Sequence, residues 1–129
     1  MNRERALKVV LVLVGLLFSA GIYPVARDLW HGNASDPGGD MMLSLYITLG
    51  IFLLLAVRNP AGHRSLIAFT AWSSFAHAVV MSALGLQPKY ASERVEFWIG
   101  SGVLVLIGVA FIALARVRHP VERTSAAAA

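Results

Sequence analysis

The sequence contains no cysteine, which excludes disulfides, iron–sulfur ligation and thiolate chemistry. Charge is also scarce. Asp, Glu, Lys and Arg make up 14% of the 129 residues, against about a quarter in an ordinary soluble domain. A water-facing surface is hard to build from so little charge, and the class this indicates is a membrane protein. The motifs of common catalysts are missing as well. There is no H-E-x-x-H metal site, no G-x-S-x-G nucleophile elbow and no phosphate-binding loop. No cofactor is expected, and an enzyme is the least favoured class.

What the chain does have is apolar residues, 57% of the total, with a mean hydropathy of +0.69. They gather in four blocks, at about residues 9–26, 41–57, 65–85 and 96–115. A helix needs about 20 residues to cross a ~30 Å hydrocarbon layer. Backbone groups in lipid must bond within their own segment, so each block is expected to be helical. The predicted fold is all-α, a four-helix transmembrane bundle forming one domain over residues 1–120, with a disordered tail at 121–129.

Boundary signals accompany the blocks. Asp40 is a candidate cap for the second helix, and Arg58-Asn59-Pro60 ends it. Ser92 is a candidate cap for the fourth, with Glu93 and Glu96 in its first turn. Pro24 frees the carbonyl four residues before it and is a candidate kink. Residues 1–21 also fit a signal peptide, with a basic start and a Ser19-Ala20-Gly21 cleavage site. Apolar character continuing through residues 22–26 favours its retention as the first span.

The net charge is +4. Its basic residues lie between apolar blocks rather than on one stripe, which argues against nucleic acid and for lipid headgroups. Eight Lys and Arg residues fall at the two termini and the second connection. Only Arg27, Lys89 and Arg94 fall on the other side. This bias predicts both termini in the cytoplasm. The location expected is the cell membrane, multi-pass. Trp30, Tyr90 and Trp98 suit the interfacial belts, His31, His63 and His119 are expected in water, and Arg27-Asp28 reads as a surface pair.

Polar residues inside the blocks carry the functional question. Gly15 and Ser19, Ser44 and Thr48, and Ser101 and Gly108 each share a helix face, which suits helix–helix contact. In the third block Thr70, Ser73, Ser74, His77 and Met81 fall in an arc of about 100° and should point into the bundle, whereas Trp72 and Phe75 should face lipid or its boundary. His77 is the only residue among His, Lys, Arg, Asp and Glu that is well inside a span. By depth, Thr48 and Ser101 lie near it, and Tyr23, Ser44 and Glu96 lie shallower. We expect a polar zone in the outer half of the bundle, made of His77, Tyr23, Ser44, Thr48, Ser73, Glu96 and Ser101, above an apolar plug. Its histidine can serve as interhelical glue or as a ligand-binding or proton-accepting group.

Several known chemistries fit poorly. A bis-histidine haem needs two histidines at membrane depth. A small four-helix multidrug exporter would carry an acid in its first helix, and residues 9–26 have none. The Gly- and Thr-rich pore motif of a fluoride channel is also missing. The stretch RNPAGHRSLIAFTAWSSFAHAVVM at 58–81, with YITLG at 46–50, resembles a bacterial family of small four-helix membrane proteins classified only as a domain of unknown function. The resemblance covers most of the chain, from the first helix to the fourth. It implies an integral membrane protein, placed in a bacterial inner membrane, and carries no activity with it. Size and helix count are also similar to DoxX-like proteins, an analogy without mechanism. Two function classes follow. The first is a subunit or accessory partner of a membrane complex, or a homo-oligomer, with small-residue faces receiving partner helices. The second is a small-molecule or proton-linked binder or transporter built on the zone around His77.

Overall fold

The computed structural model describes residues 2–32 and 36–116. The expected tail at 121–129 and His119 lie outside them. The described residues form helices and turns with no strand. Four segments are long and apolar enough to cross a membrane: Arg3–His31, Pro37–Ala56, Pro60–Gly85 and Arg94–Ala115.

The first span is longer than expected and has a joint. It consists of α1 (Arg3–Ser19) and α2 (Ile22–His31). Pro24 has no N–H to give the Ala20 carbonyl. The Tyr23 amide takes that carbonyl instead at 3.2 Å, and the Gly21 amide bonds the Phe18 carbonyl at 3.3 Å. Ala20 and Gly21 have ψ values of −21° and −15°, the tighter winding of a 3₁₀ turn. The helix therefore tightens and then continues. It runs through Arg27 and Asp28, which the sequence pattern places in a connection. Continuation is favoured because α2 is two-sided: Ile22, Ala26, Leu29 and Trp30 share one flank, and Arg27, Asp28 and His31 the other. Arg27 and Asp28 do not pair, since adjacent helical positions diverge. Gly32 stops the helix at φ 64°, its amide bonded to the Asp28 carbonyl.

The remaining boundaries follow local chemistry. α3 (Pro37–Ala56) is capped by Asp36 rather than Asp40: the Gly39 amide donates to its carboxylate at 3.0 Å. Pro37 then takes the first helical position, where a missing N–H costs nothing. A 3₁₀ turn at Pro60–His63, with the Gly62 amide donating to the Asn59 side chain at 3.2 Å, leads into α4 (Arg64–Gly85). α5 (Arg94–Ala115) starts without a side-chain cap from Ser92. The turn before it supplies successive backbone bonds instead, including Glu93 amide to Tyr90 carbonyl at 3.1 Å. Arg94 Nε donates to the Gly85 carbonyl at 2.9 Å and so closes the end of α4.

Packing is uneven. α1 lies along α3, and α4 lies along α5. α1 also meets α5, whereas α3 and α4 barely touch although a short turn joins them. Apolar burial gives helices in lipid little reason to associate, so close backbone approach has to supply the contact. A Cβ on Gly50 would sit 2.7 Å from the Gly15 carbonyl oxygen and 2.7 Å from Ser19 Oγ. Gly15 and Ser19 thus form a contact face as expected. In the other pair, Ala71, Ala78, Ser101 and Gly108 are buried, and Phe75 packs over Gly108. Phe75 is thus half-buried, at the boundary of this pair rather than wholly toward lipid. Trp72 does face outward, 66% exposed. The core is Leu7, Leu11, Val14, Phe18, Leu53, Ile67, Leu104, Ile107 and Phe111.

Candidate functional site

Where α3 and α4 part, a lateral cleft of about 680 Å³ opens. Its walls are apolar, with Leu45, Leu49, Phe52, Leu66, Phe69 and Val80, and its polar groups are Tyr46, Thr48, Ser73 and His77. Each follows from helical phase. His77 and Ser73 are four apart on α4 and point the same way. Tyr46 and Thr48 flank the opposing stretch of α3.

Tyr46 is the hub. Its ring stands edge-on to His77, with centroids 5.5 Å apart and planes at 88°. On its other side it stands edge-on to Phe18, at 4.9 Å and 79°. Three helices are therefore linked through one aromatic row, in the edge-to-face geometry aromatic quadrupoles favour. The hydroxyls beside it are engaged within their own helices. Thr48 Oγ1 donates to the Ser44 carbonyl at 3.0 Å, and Ser73 Oγ to the Thr70 carbonyl at 3.2 Å. Each keeps lone pairs that can still accept. The His77 ring and the Tyr46 hydroxyl make no hydrogen bond among the described residues. Both are half-buried. The cleft thus offers an imidazole, a phenol and two hydroxyl acceptors in an otherwise apolar wall.

Of the expected polar zone, His77, Thr48 and Ser73 come together. Four residues do not join them. Tyr23 lies on α2 and is 73% exposed. Ser44 faces outward and donates to the Met41 carbonyl at 2.6 Å, so it and Thr48 do not form a helix-contact face. Glu96 is exposed in the first turn of α5. Ser101 is buried between α4 and α5, bonded to Ser82 Oγ at 2.7 Å and to the Ala78 carbonyl at 3.0 Å. Depth placed all seven in one half of the bundle, and rotation about each helix axis, with the shallower positions of Tyr23, Ser44 and Glu96, separates them. The polar arc of α4 is divided in the same way. Thr70 and Ser74 are buried and bonded back to their own helix, and Met81 reaches Gly100 on α5. Of the polar residues expected inside the spans, Ser101 bonds across helices, to Ser82 and Ala78, and His77 does not; the other interhelical bonds lie at span ends, Arg94 to Gly85 and Arg3 to Ala113.

Sequence reasoning missed Tyr46. A signal was present: it lies mid-helix in α3, whereas tyrosines of interfacial belts lie near span ends. Among the described residues, no three His, Asp or Glu side chains gather as metal ligands would.

No curated protein and no solved structure matches the chain. A family model does, over residues 3–127. The protein whose α3–α4 cleft has been described belongs to a family of unknown function, DUF6632.

Proposed function

We propose that the protein is a membrane-embedded binding module that takes up a small, largely apolar molecule carrying one hydrogen-bonding group. The observation behind this reading is the pairing of an unbonded imidazole and an unbonded phenol within apolar walls, in a cleft that opens sideways. A molecule dissolved in lipid would arrive from that direction. The volume falls in the usual range for small-molecule sites, about 300–1,000 Å³. His77 anchors the polar group of the guest, and Tyr46, Thr48 and Ser73 offer further partners.

The accessory-subunit reading has less support. It relied on small-residue faces lying on the outside of the bundle. Gly15, Ser19, Gly50 and Gly108 are instead used for packing within the chain. The cleft walls are large side chains, a poor seat for a close-packed helix. On the charge bias we further propose that the end holding Arg3, Arg58, Arg64 and Arg116 lies in the cytoplasm, and on the resemblance of residues 46–81 to a bacterial family that the membrane is a bacterial inner membrane.

The test is extraction of small molecules from protein purified in mild detergent, read by mass spectrometry. Wild-type protein should retain a guest. His77→Phe, which keeps the ring shape and loses the hydrogen bond, should weaken retention about threefold to tenfold with unchanged helicity. No guest in the wild type, or equal retention by His77→Phe, would overturn the reading.

A further inference from the structure

α1 begins, α3 ends, α4 begins and α5 ends at one end of the bundle, and there they enclose a basin of about 620 Å³. Arg3, Arg58, Arg64 and Arg116 line it, over a floor that includes Leu7 and Ile67. Both floor residues are buried, and Ala61, Leu114 and Ala115 add apolar side chains that keep accessible surface. The only carboxylate lining it among the described residues is Glu4, which is already engaged: its Oε1 lies 3.0 Å from Lys8 Nζ. Arg3 is anchored by donating to the Ala113 carbonyl in the last turn of α5, where open carbonyls favour a cation. The side chains of Arg58, Arg64 and Arg116 have no hydrogen-bond or ion-pair partner among the described residues.

Orienting the protein in a membrane requires positive charge in the loops, but it does not require that charge to converge. Four arginines around one hollow, three of them without a partner among the described residues, repel each other unless an anion sits between them. Guanidinium is also the side chain best shaped for the paired oxygens of phosphate. The apolar lining adds a second property. A soluble phosphate compound gains nothing from the apolar surface of Ala61, Leu114 and Ala115, whereas a lipid has glycerol and acyl carbons to lay against it. The basin lies at the end of the spans, at the level of headgroups.

We propose that this basin binds the headgroup phosphate of an anionic phospholipid. Its arginines hold the phosphate, and Ala61, Leu114 and Ala115 meet the lipid carbons. The site is separate from the α3–α4 cleft and does not depend on what that cleft binds.

The test uses the full chain in neutral detergent, with native mass spectrometry reading retained lipid. Phosphatidylglycerol should be retained at least about tenfold over phosphatidylcholine. Arg58→Gln with Arg64→Gln should remove most of that preference. Arg27→Gln with Lys89→Gln removes the same charge at the other end and should leave the preference intact. Equal retention of the two lipids by the wild type would overturn the proposal, as would equal losses in the two double variants. Displacement of phosphatidylglycerol by millimolar inorganic phosphate would assign the basin to a soluble phosphate instead. If the basin variant fails to fold by circular dichroism, lipid selectivity and phosphate competition on the wild type still decide.

Discussion

Gly50 shows how a single hydrogen in place of a side chain determines the α1–α3 crossing. Two of the three atoms that a Cβ would meet, the Gly15 carbonyl oxygen and the Ser19 amide nitrogen at 2.7 and 2.8 Å, are backbone and cannot swing aside. Gly50→Ala should therefore push the helices apart and cost about 1–3 kcal/mol. Gly102, also helical, has nothing within 4 Å of the place a Cβ would take. Gly102→Ala should be neutral or stabilising by up to about 1 kcal/mol. Unfolding of both variants in detergent checks this, and equal losses would show that the crossing is not governed by close approach. Sequence spacing revealed one side of the contact, since Gly15 and Ser19 are four apart on one stripe. It did not reveal Gly50, because the register between two helices depends on where the connecting turn leaves them. Tyr46 was hidden for a related reason: its value comes from Phe18 and His77, which lie on other helices.

The elements were legible in their middles and less so at their ends. Twenty apolar residues in lipid can only coil, so the four spans follow from composition. Ends depend on which of several neighbouring polar residues captures an amide. Asp36 and Asp40 both flank the start of α3, and Pro37 decides for Asp36 because proline fits the first helical position. The joint between α1 and α2 was legible as a proline, but its form was not: the Ala20 carbonyl is taken by Tyr23 and the helix tightens. Pro24→Ala restores a donor four residues beyond Ala20. Amide exchange over residues 20–25 should then slow by about threefold to tenfold, the worth of one net hydrogen bond. Unchanged exchange would mean that Gly21, rather than the proline, sets the joint.

For the whole molecule, the missing cysteines become a tool. Single cysteines at Ala61 and Ser92, both exposed, would be the only thiols in the chain. A membrane-impermeant maleimide should label Ser92→Cys in intact cells, and Ala61→Cys only after the membrane is opened; the reverse pattern would invert the proposed orientation. Asn2 and Arg116 line the same basin, so the described ends of the chain share one end of the bundle. The cleft itself was only half legible. His77, Thr48 and Ser73 could be found by depth, but Ser101 at similar depth faces α4, and no rule of composition gives the rotation that separates them. The unevenness of the packing also bears on how the protein is made. The first two spans form one tight pair and the last two form another, so neighbours along the chain are neighbours in space. A ribosome delivering this polypeptide would release each hairpin with its partner already synthesised, and only the meeting of α1 with α5 would have to wait for the final segment.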